Sequence, residues 1–160
     1  MGYTHYHKRD NRNKGSAYMF GKLALDAKAI IAEAQKRGIV IRGGNGEGLP
    51  EYNEGYFSLN GNAEAGEDYE TFMWEALPEQ PEWQAKSNLG KPHEIFDFCK
   101  TAHRPYDAVV TAILIRAKVI YGDLVSISSD GGWAEWQAGR GIYEEVFGEP
   151  APNPFGMATV

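Results

Sequence analysis

The apolar stretch at residues 108–121 constrains the fold more than any other part of the chain. Its only charged side chains are Arg116 and Lys118. Its large apolar residues fall on all sides of a helix: Val109, Val110, Ile113, Leu114, Ile115, Val119 and Ile120. Such a helix has to be buried on more than one side, and it is too short to span a membrane. We therefore predict a central buried helix that begins at Pro105 and is capped by Gly122.

A strand is predicted on each side of this helix. In residues 95–101, two phenylalanines face one side and Asp97 and Cys99 face the other, as the period of two in a strand requires. Residues 124–128 alternate apolar side chains with serine in the same way. The stretch from 95 to 130, which contains both strands and the helix, is thus the predicted core of the fold.

Turn and capping signals divide the rest of the chain. Ser16 is a good N-cap for a first helix that ends at Gly38, and a last helix over residues 133–147 ends at Gly148. Further strands are predicted at residues 3–7, 39–41, 56–59 and 71–74, the last two as a hairpin-like pair. Residues 8–15 are predicted to be a solvated basic loop, and residues 78–92 a long surface excursion.

The length and the order of these elements favour one fold class. A chain of 160 residues and 17.8 kDa is expected to form one domain. The elements predict an α+β fold, with a mixed sheet and about three helices packed mainly on one face. This domain is assigned to residues 1–148, and a Pro-rich tail to residues 149–160.

Charge and cysteine content exclude several classes of protein. The net charge of -6 and the sequence pI near 5.2 argue against general nucleic-acid binding, which needs clustered Lys and Arg. The single cysteine, Cys99, excludes an internal disulfide and fits a reducing cytoplasm. The polar N-terminus predicts neither a signal peptide nor a membrane anchor. We expect a cytoplasmic protein without a cofactor, and formation of a homo-oligomer is left open.

The turn before the central helix is a candidate anion site. Lys100, Thr101 and Arg104 would bind a phosphate through charge-assisted hydrogen bonds, together with free amides at the helix start. Tyr6 or Tyr106 would then contact the base or sugar of a nucleotide. The alternative is that the two cations form structural ion pairs with nearby carboxylates, the candidates being Asp97, Asp107 and Asp130.

Acid–base chemistry gives a second hypothesis, in which the chain is an enzyme. His5, together with Asp107 or Asp130, would act on a phosphoester or glycosidic bond. The identity of any catalytic residue is otherwise open.

Two further readings involve histidines and the cysteine. His5 and His7 share one face of a strand, but two histidines do not complete a metal site, and His93 or His103 would have to join them. We therefore predict no metal. Cys99 is a candidate nucleophile, with His103 as its base.

Four short motifs carry a resemblance to a known family: Met-Gly-Tyr-Thr-His-Tyr at the start, then Phe-Cys-Lys-Thr, Arg-Pro-Tyr-Asp and Ser-Ser-Asp-Gly. At these spacings the chain resembles a family of small uncharacterised bacteriophage and bacterial proteins, over most of its length up to about Gly148. Members of that family carry Trp where this chain has His7. The resemblance implies a phage-encoded accessory protein with a role directed at the host, and it implies no mechanism.

The leading expectation is therefore a small cytoplasmic accessory protein that binds or sequesters a phosphate-bearing small molecule such as a nucleotide. One alternative is the hydrolase described above. The other is a protein-interaction module without a small-molecule ligand, for which a host protein would be the partner.

Overall fold

The computed structural model describes residues 2–12, 16–87 and 93–156, without the side chains of residues 85–87. In these ranges the strands are β1 (Thr4–Asp10), β2 (Glu51–Tyr52), β3 (Tyr56–Leu59), β4 (Phe72–Glu75), β5 (Glu94–Lys100) and β6 (Val125–Ser129). The α-helices are α1 (Ser16–Lys36), α2 (Glu82–Ser87), α3 (Asp107–Tyr121) and α4 (Gln137–Phe147). None of the helices described is long and apolar enough to cross a membrane.

The strands form two antiparallel sheets, in the orders β5-β1-β6 and β2-β3-β4. Since β1 is antiparallel to both of its neighbours, β5 and β6 run in the same direction, and α3 connects them. This arrangement is a split β-α-β unit, with β1 inserted between the two parallel strands. The predicted single-domain α+β class is confirmed. In place of a single mixed sheet there are two antiparallel sheets, and β5 and β6 do not pair in parallel because β1 lies between them.

Most elements with strong local periodicity lie where they were predicted. The first helix begins at Ser16, the central helix ends at Gly122, and the last helix ends at Gly148, which has the left-handed conformation of a C-cap. The central helix begins at Asp107, two residues later than Pro105. A 3-10 turn over Trp133–Trp136 precedes α4.

Two predictions of local structure are wrong, and a third is incomplete. Residues 39–41 form no strand, and the chain makes only an isolated bridge between Arg42 and Asn60. The surface excursion at 78–92 contains the short helix α2, while residues 88–92 lie outside the described ranges. The predicted loop at 8–15 instead begins as part of β1, which continues to Asp10; residues 13–15 are outside the described ranges.

Helix α3 lies at the centre of the core, as its apolar circumference requires. It packs against α1 and α4 and against β6, and nearly all of its apolar side chains are buried. A side chain at Gly139 in α4 would collide with Thr111 of α3, so this glycine permits the close approach of the two helices. In the tail, Phe155 packs edge-on against Trp133 and Trp136.

Arg9 of β1 joins the two sheets from inside the core. Its guanidinium carbon lies 4.9 Å from the Trp74 ring centroid and 4.8 Å from that of Tyr121. The guanidinium donates hydrogen bonds to the carbonyl of Glu75 and, at 2.9 Å, to that of Ala76. Among the described residues no carboxylate lies within ion-pair distance of it. Carbonyl dipoles and aromatic faces therefore replace water around this buried charge.

Replacing Arg9 by Met should reduce the free energy of unfolding by about 3 kcal/mol, because the buried carbonyl groups of Glu75 and Ala76 lose their donors. Urea denaturation measures the change. Arg12→Met is the matched control, since its side chain is exposed and its loss should change stability by less than about 0.5 kcal/mol. Equal stability of the two variants would contradict the role given to Arg9.

His7 should make the protein less stable in mild acid. Its ring stacks on Trp74, 4.7 Å between centroids, and burial, followed by the charge of Arg9, lowers its pKa to about 3. The unfolded chain, with an ordinary His pKa near 6.5, then binds the proton more tightly than the folded chain. The contribution of His7 to the free energy of unfolding should be fully present above about pH 6.5. Below that pH it should fall by up to about 1.4 kcal/mol per pH unit towards pH 3.

Urea denaturation between pH 7.5 and pH 4.5 tests this dependence. His7→Phe keeps an aromatic ring on Trp74 and removes the titrating group, so its stability should fall less steeply over the same range. Parallel curves for the wild type and His7→Phe would show that other groups cause the acid sensitivity.

Candidate functional site

The candidate site lies where β1, β5 and β6 meet the start of α3. Between β5 and α3 the chain makes a tight turn, in which Ala102 and His103 have positive φ angles of 52° and 60°. Two successive non-glycine residues in this conformation are strained, and such strain is tolerated where other contacts fix the backbone. The carbonyl of Tyr3 does so, because it accepts hydrogen bonds from the amides of Thr101 and Ala102.

A chain of hydrogen bonds runs through the interior of this site. His5 Nδ1 lies 2.7 Å from Ser129 Oγ, and His5 Nε2 lies 2.6 Å from Asp107 Oδ1. We call these three residues the buried triad. Thr101 adds a hydroxyl donor to the same Asp107 oxygen, at 2.5 Å. The His5 side chain is completely buried, whereas 17% of the Asp107 side chain is exposed.

The partners of Ser129 favour one tautomer of the neutral His5 ring. Its Oγ accepts hydrogen bonds from the Gly131 amide, at 3.0 Å, and from Trp136 Nε1, at 3.4 Å. The hydroxyl proton is then directed to His5 Nδ1, so that Nε2–H donates to the Asp107 carboxylate. A hydroxyl, an imidazole that accepts its proton and a carboxylate that orients the imidazole are the parts of an activated nucleophile.

Tyr3 borders the triad and carries an unused hydroxyl. Its ring meets His5 edge-on at 4.9 Å and stacks on the exposed His103 at 3.6 Å between centroids. Among the described residues its buried hydroxyl makes no well-formed hydrogen bond, although it lies close to the side chains of Ser129 and Trp136, which act to lower its pKa. Burial, followed by the charges of Asp107 and Glu135, raises the pKa of Tyr3 to about 12. The phenol therefore stays protonated at neutral pH.

The two carboxylates proposed as partners of His5 have different positions. Asp107 contacts the ring directly, as described above. Asp130 accepts hydrogen bonds from the Thr4 amide, at 3.0 Å, and from the Tyr6 hydroxyl, at 2.8 Å. The bond to Asp130 raises the pKa of Tyr6. The structure thus brings His5 together with Asp107, and Asp130 together with Tyr6.

The predicted anion-binding residues separate into buried and accessible groups. Thr101 and Tyr106 are completely buried. The Thr101 hydroxyl donates to the Asp107 carboxylate, and the Tyr106 hydroxyl donates to the Glu70 carbonyl at 2.5 Å. Burial also raises the pKa of Tyr106. Lys100 and Arg104 remain accessible at the surface of the turn.

These two cations converge on Tyr69, which lies between β3 and β4 and was not a predicted site residue. Lys100 Nζ lies 5.5 Å from the centre of the Tyr69 ring, and Arg104 Cζ lies 5.8 Å from it. Neither cation has a carboxylate within ion-pair distance in the part of the chain that the structure describes. The structural ion pairs considered as the alternative for Lys100 and Arg104 do not form there.

The structure argues against Cys99 as a nucleophile. The side chain is buried, its thiol donates to the carbonyl of Glu70 at 3.5 Å, and burial raises its pKa. A reactive cysteine needs the opposite shift. His103, the proposed base, stacks on Tyr3 instead.

Neither strand histidine is available as a metal ligand. His5 is occupied by the buried triad, and His7 is stacked on Trp74. Within the described ranges, no group of three or more His, Cys, Asp or Glu residues is arranged to hold a metal ion.

The class of protein that the structure defines is a single-domain α+β protein built around a split β-α-β unit. Comparison of the chain with protein-family models, curated proteins and solved structures found no match.

The Cys99 thiol should resist modification in the native protein, because it is buried and its thiolate form is disfavoured. We expect iodoacetamide to alkylate it at least about 100-fold more slowly than in the urea-unfolded chain. Intact-mass spectrometry over time measures both rates. Alkylation at the unfolded rate under native conditions would contradict the burial of this residue.

Proposed function

We propose that the protein binds a phosphate-bearing small molecule, such as a nucleotide, on the surface formed by Lys100, Arg104 and Tyr69. The observation that carries this proposal is the convergence of two cations, without a carboxylate partner among the described residues, on one exposed aromatic ring. The segment around Tyr69 is acidic, so the positive charge is confined to the side chains of Lys100 and Arg104, which favours a compact anion over an extended nucleic acid.

The three side chains offer complementary contacts to such a ligand. The planar guanidinium of Arg104 suits two oxygens of a phosphate, and the ammonium of Lys100 adds a second charge-assisted donor. Tyr69 is 44% exposed, so part of its ring is open to a base or sugar. In this proposal Tyr69 takes the role predicted for Tyr6 and Tyr106.

The backbone beneath this surface is held firmly. Asn60, which is fully buried, donates to the Tyr69 carbonyl and accepts from the Tyr69 amide, each at 3.1 Å. The Lys100 amide donates to the Glu70 carboxylate at 2.8 Å, and the Lys100 carbonyl accepts from the Glu70 amide at 3.1 Å. Tyr69 and Lys100 therefore project from a fixed frame, which reduces the entropy lost on binding.

The proposal keeps the expected accessory role, in which the cytoplasmic protein binds or sequesters its ligand. In a phage-encoded protein, as the family resemblance implies, such a ligand would come from the host cell.

Titration with pyrophosphate, ATP and GTP tests the proposal. Ligands that bind only the folded protein raise its melting temperature, and isothermal calorimetry then gives the affinity. Lys100→Ala combined with Arg104→Ala should weaken binding by at least about tenfold, because both phosphate contacts are lost. Binding by the wild type should also weaken as the salt concentration rises.

The double variant Lys8→Ala with Lys36→Ala is the matched control. Both side chains are largely exposed, and the net charge changes by the same amount. Equal loss of binding in the two double variants would indicate general electrostatic attraction and overturn the proposed site. No binding of any of the three compounds by the wild type would also contradict the proposal and favour an interaction module.

A further inference from the structure

The buried triad brings a hydroxyl, an imidazole and a carboxylate into direct contact. We infer that Ser129, His5 and Tyr3 form a catalytic site that hydrolyses small uncharged carboxylic esters, with Asp107 as a positioning residue. This inference is independent of phosphate binding at Lys100 and Arg104. It rests on three observations: the geometry of the triad, the unpartnered hydroxyl of Tyr3, and the charge around both.

The triad provides a nucleophile and a base. Ser129 Oγ is 2.7 Å from His5 Nδ1, within the range for proton transfer in a hydrogen bond. The Asp107 carboxylate, 2.6 Å from Nε2, holds the ring and stabilises the imidazolium formed when Nδ1 takes the proton. Thr101 donates to the same carboxylate oxygen and fixes its position.

Tyr3 provides a donor for the oxyanion. A side chain added at Gly131 would collide with the Tyr3 hydroxyl, and the Gly131 amide donates to Ser129 Oγ. The Tyr3 hydroxyl and the nucleophile therefore border the same glycine. A buried hydroxyl without a partner normally costs stability, so its presence beside a nucleophile calls for an acceptor that arrives with a substrate.

The charges around the triad select the type of ester. Asp107 and Glu135 both act on the Tyr3 hydroxyl, and Asp130 follows Ser129 directly. Asp107, Glu135 and Asp130 are all negatively charged and lie nearer to the triad than the cations on the outside of the turn, so a phosphoester or another anionic substrate would be repelled from the nucleophile. Ser129 is partly exposed while His5 is buried, which favours a small acyl group.

The reaction proceeds in two balanced steps. Ser129 Oγ gives up its long hydrogen bond from Trp136 Nε1 and attacks the ester carbonyl carbon as its proton moves to His5 Nδ1, and the resulting oxyanion accepts a hydrogen bond from Tyr3. The carbon–oxygen bond to the leaving group then breaks, and the alcohol departs with the proton from His5. In the second step water attacks the acyl-serine while His5 accepts its proton, and the acid leaves as Ser129 recovers a proton from His5.

Hydrolysis of 4-nitrophenyl acetate and labelling by a fluorophosphonate probe test this inference on the full chain. We expect turnover by the wild type, and a covalent adduct that peptide mapping places on Ser129. Ser129→Ala should abolish the adduct and lower kcat by at least about 10³-fold. Ser128→Ala, an exposed serine of the same strand, is the matched control and should leave both unchanged.

Tyr3→Phe separates a catalytic role from a structural one. Because the hydroxyl makes no well-formed hydrogen bond among the described residues, its removal should change the melting temperature little. The loss of an oxyanion donor should nevertheless lower kcat about 10²-fold, with little change in KM. A Tyr3→Phe variant with full activity would overturn the role of Tyr3.

Two other results would overturn the inference as a whole. One is a folded wild type that neither hydrolyses the ester nor reacts with the probe. The other is a Ser129→Ala variant, folded by circular dichroism, that retains wild-type turnover. If Ser129→Ala does not fold, Tyr3→Phe and the position of the adduct on the wild type still decide the question.

Discussion

The buried guanidinium of Arg9 is the contact on which the arrangement of the two sheets depends. It lies between the rings of Trp74 and Tyr121. It donates to the carbonyl of Glu75, the last residue of β4, and to that of the next residue, Ala76. Three other polar or aromatic side chains of the chain's first strand region share this inward face: Tyr3, His5 and His7. The central strand therefore enters the core with groups that each need a specific partner. A buried polar group that loses its partner destabilises the fold more than a displaced apolar contact does. These groups therefore specify one arrangement of the surrounding elements.

Local pattern predicted α1, α3, α4 and the strands next to α3, because their apolar periodicity is complete within each element. It failed for the second half of β1, where adjacent charges at Lys8 and Arg9 are typical of a solvated loop. The aromatic rings and carbonyl groups that compensate Arg9 lie far away in the sequence, at Glu75, Ala76 and Tyr121. No local rule contains that information, and the same insertion of β1 determined which strands could pair.

Several individual residues of the site could be predicted from the sequence, but their arrangement in space could not. His5 and Asp107 were both candidates, but their contact depends on β1 lying between β5 and β6. Ser129 could have been predicted as a site residue, since it lies in a Ser-Ser-Asp-Gly turn that ends its strand, but it was not among the candidates. Nothing in the sequence indicates a role for Tyr69, because its segment is acidic and rich in turns. The turn after β5 consequently presents cations on its outside and supports the buried triad on its inside, with Thr101 between the two.

The insertion of β1 also bears on the order in which the protein can fold. His5 is 102 residues from Asp107 and 124 from Ser129, so the first strand meets its partners only when much of the chain has been made. Contacts of such long separation slow folding. During synthesis, α1 and the β2-β3-β4 sheet can form from local contacts, while β1 has both edges unpaired. An unpaired strand invites association with other chains, which makes the interval before β6 emerges the period of greatest risk of aggregation.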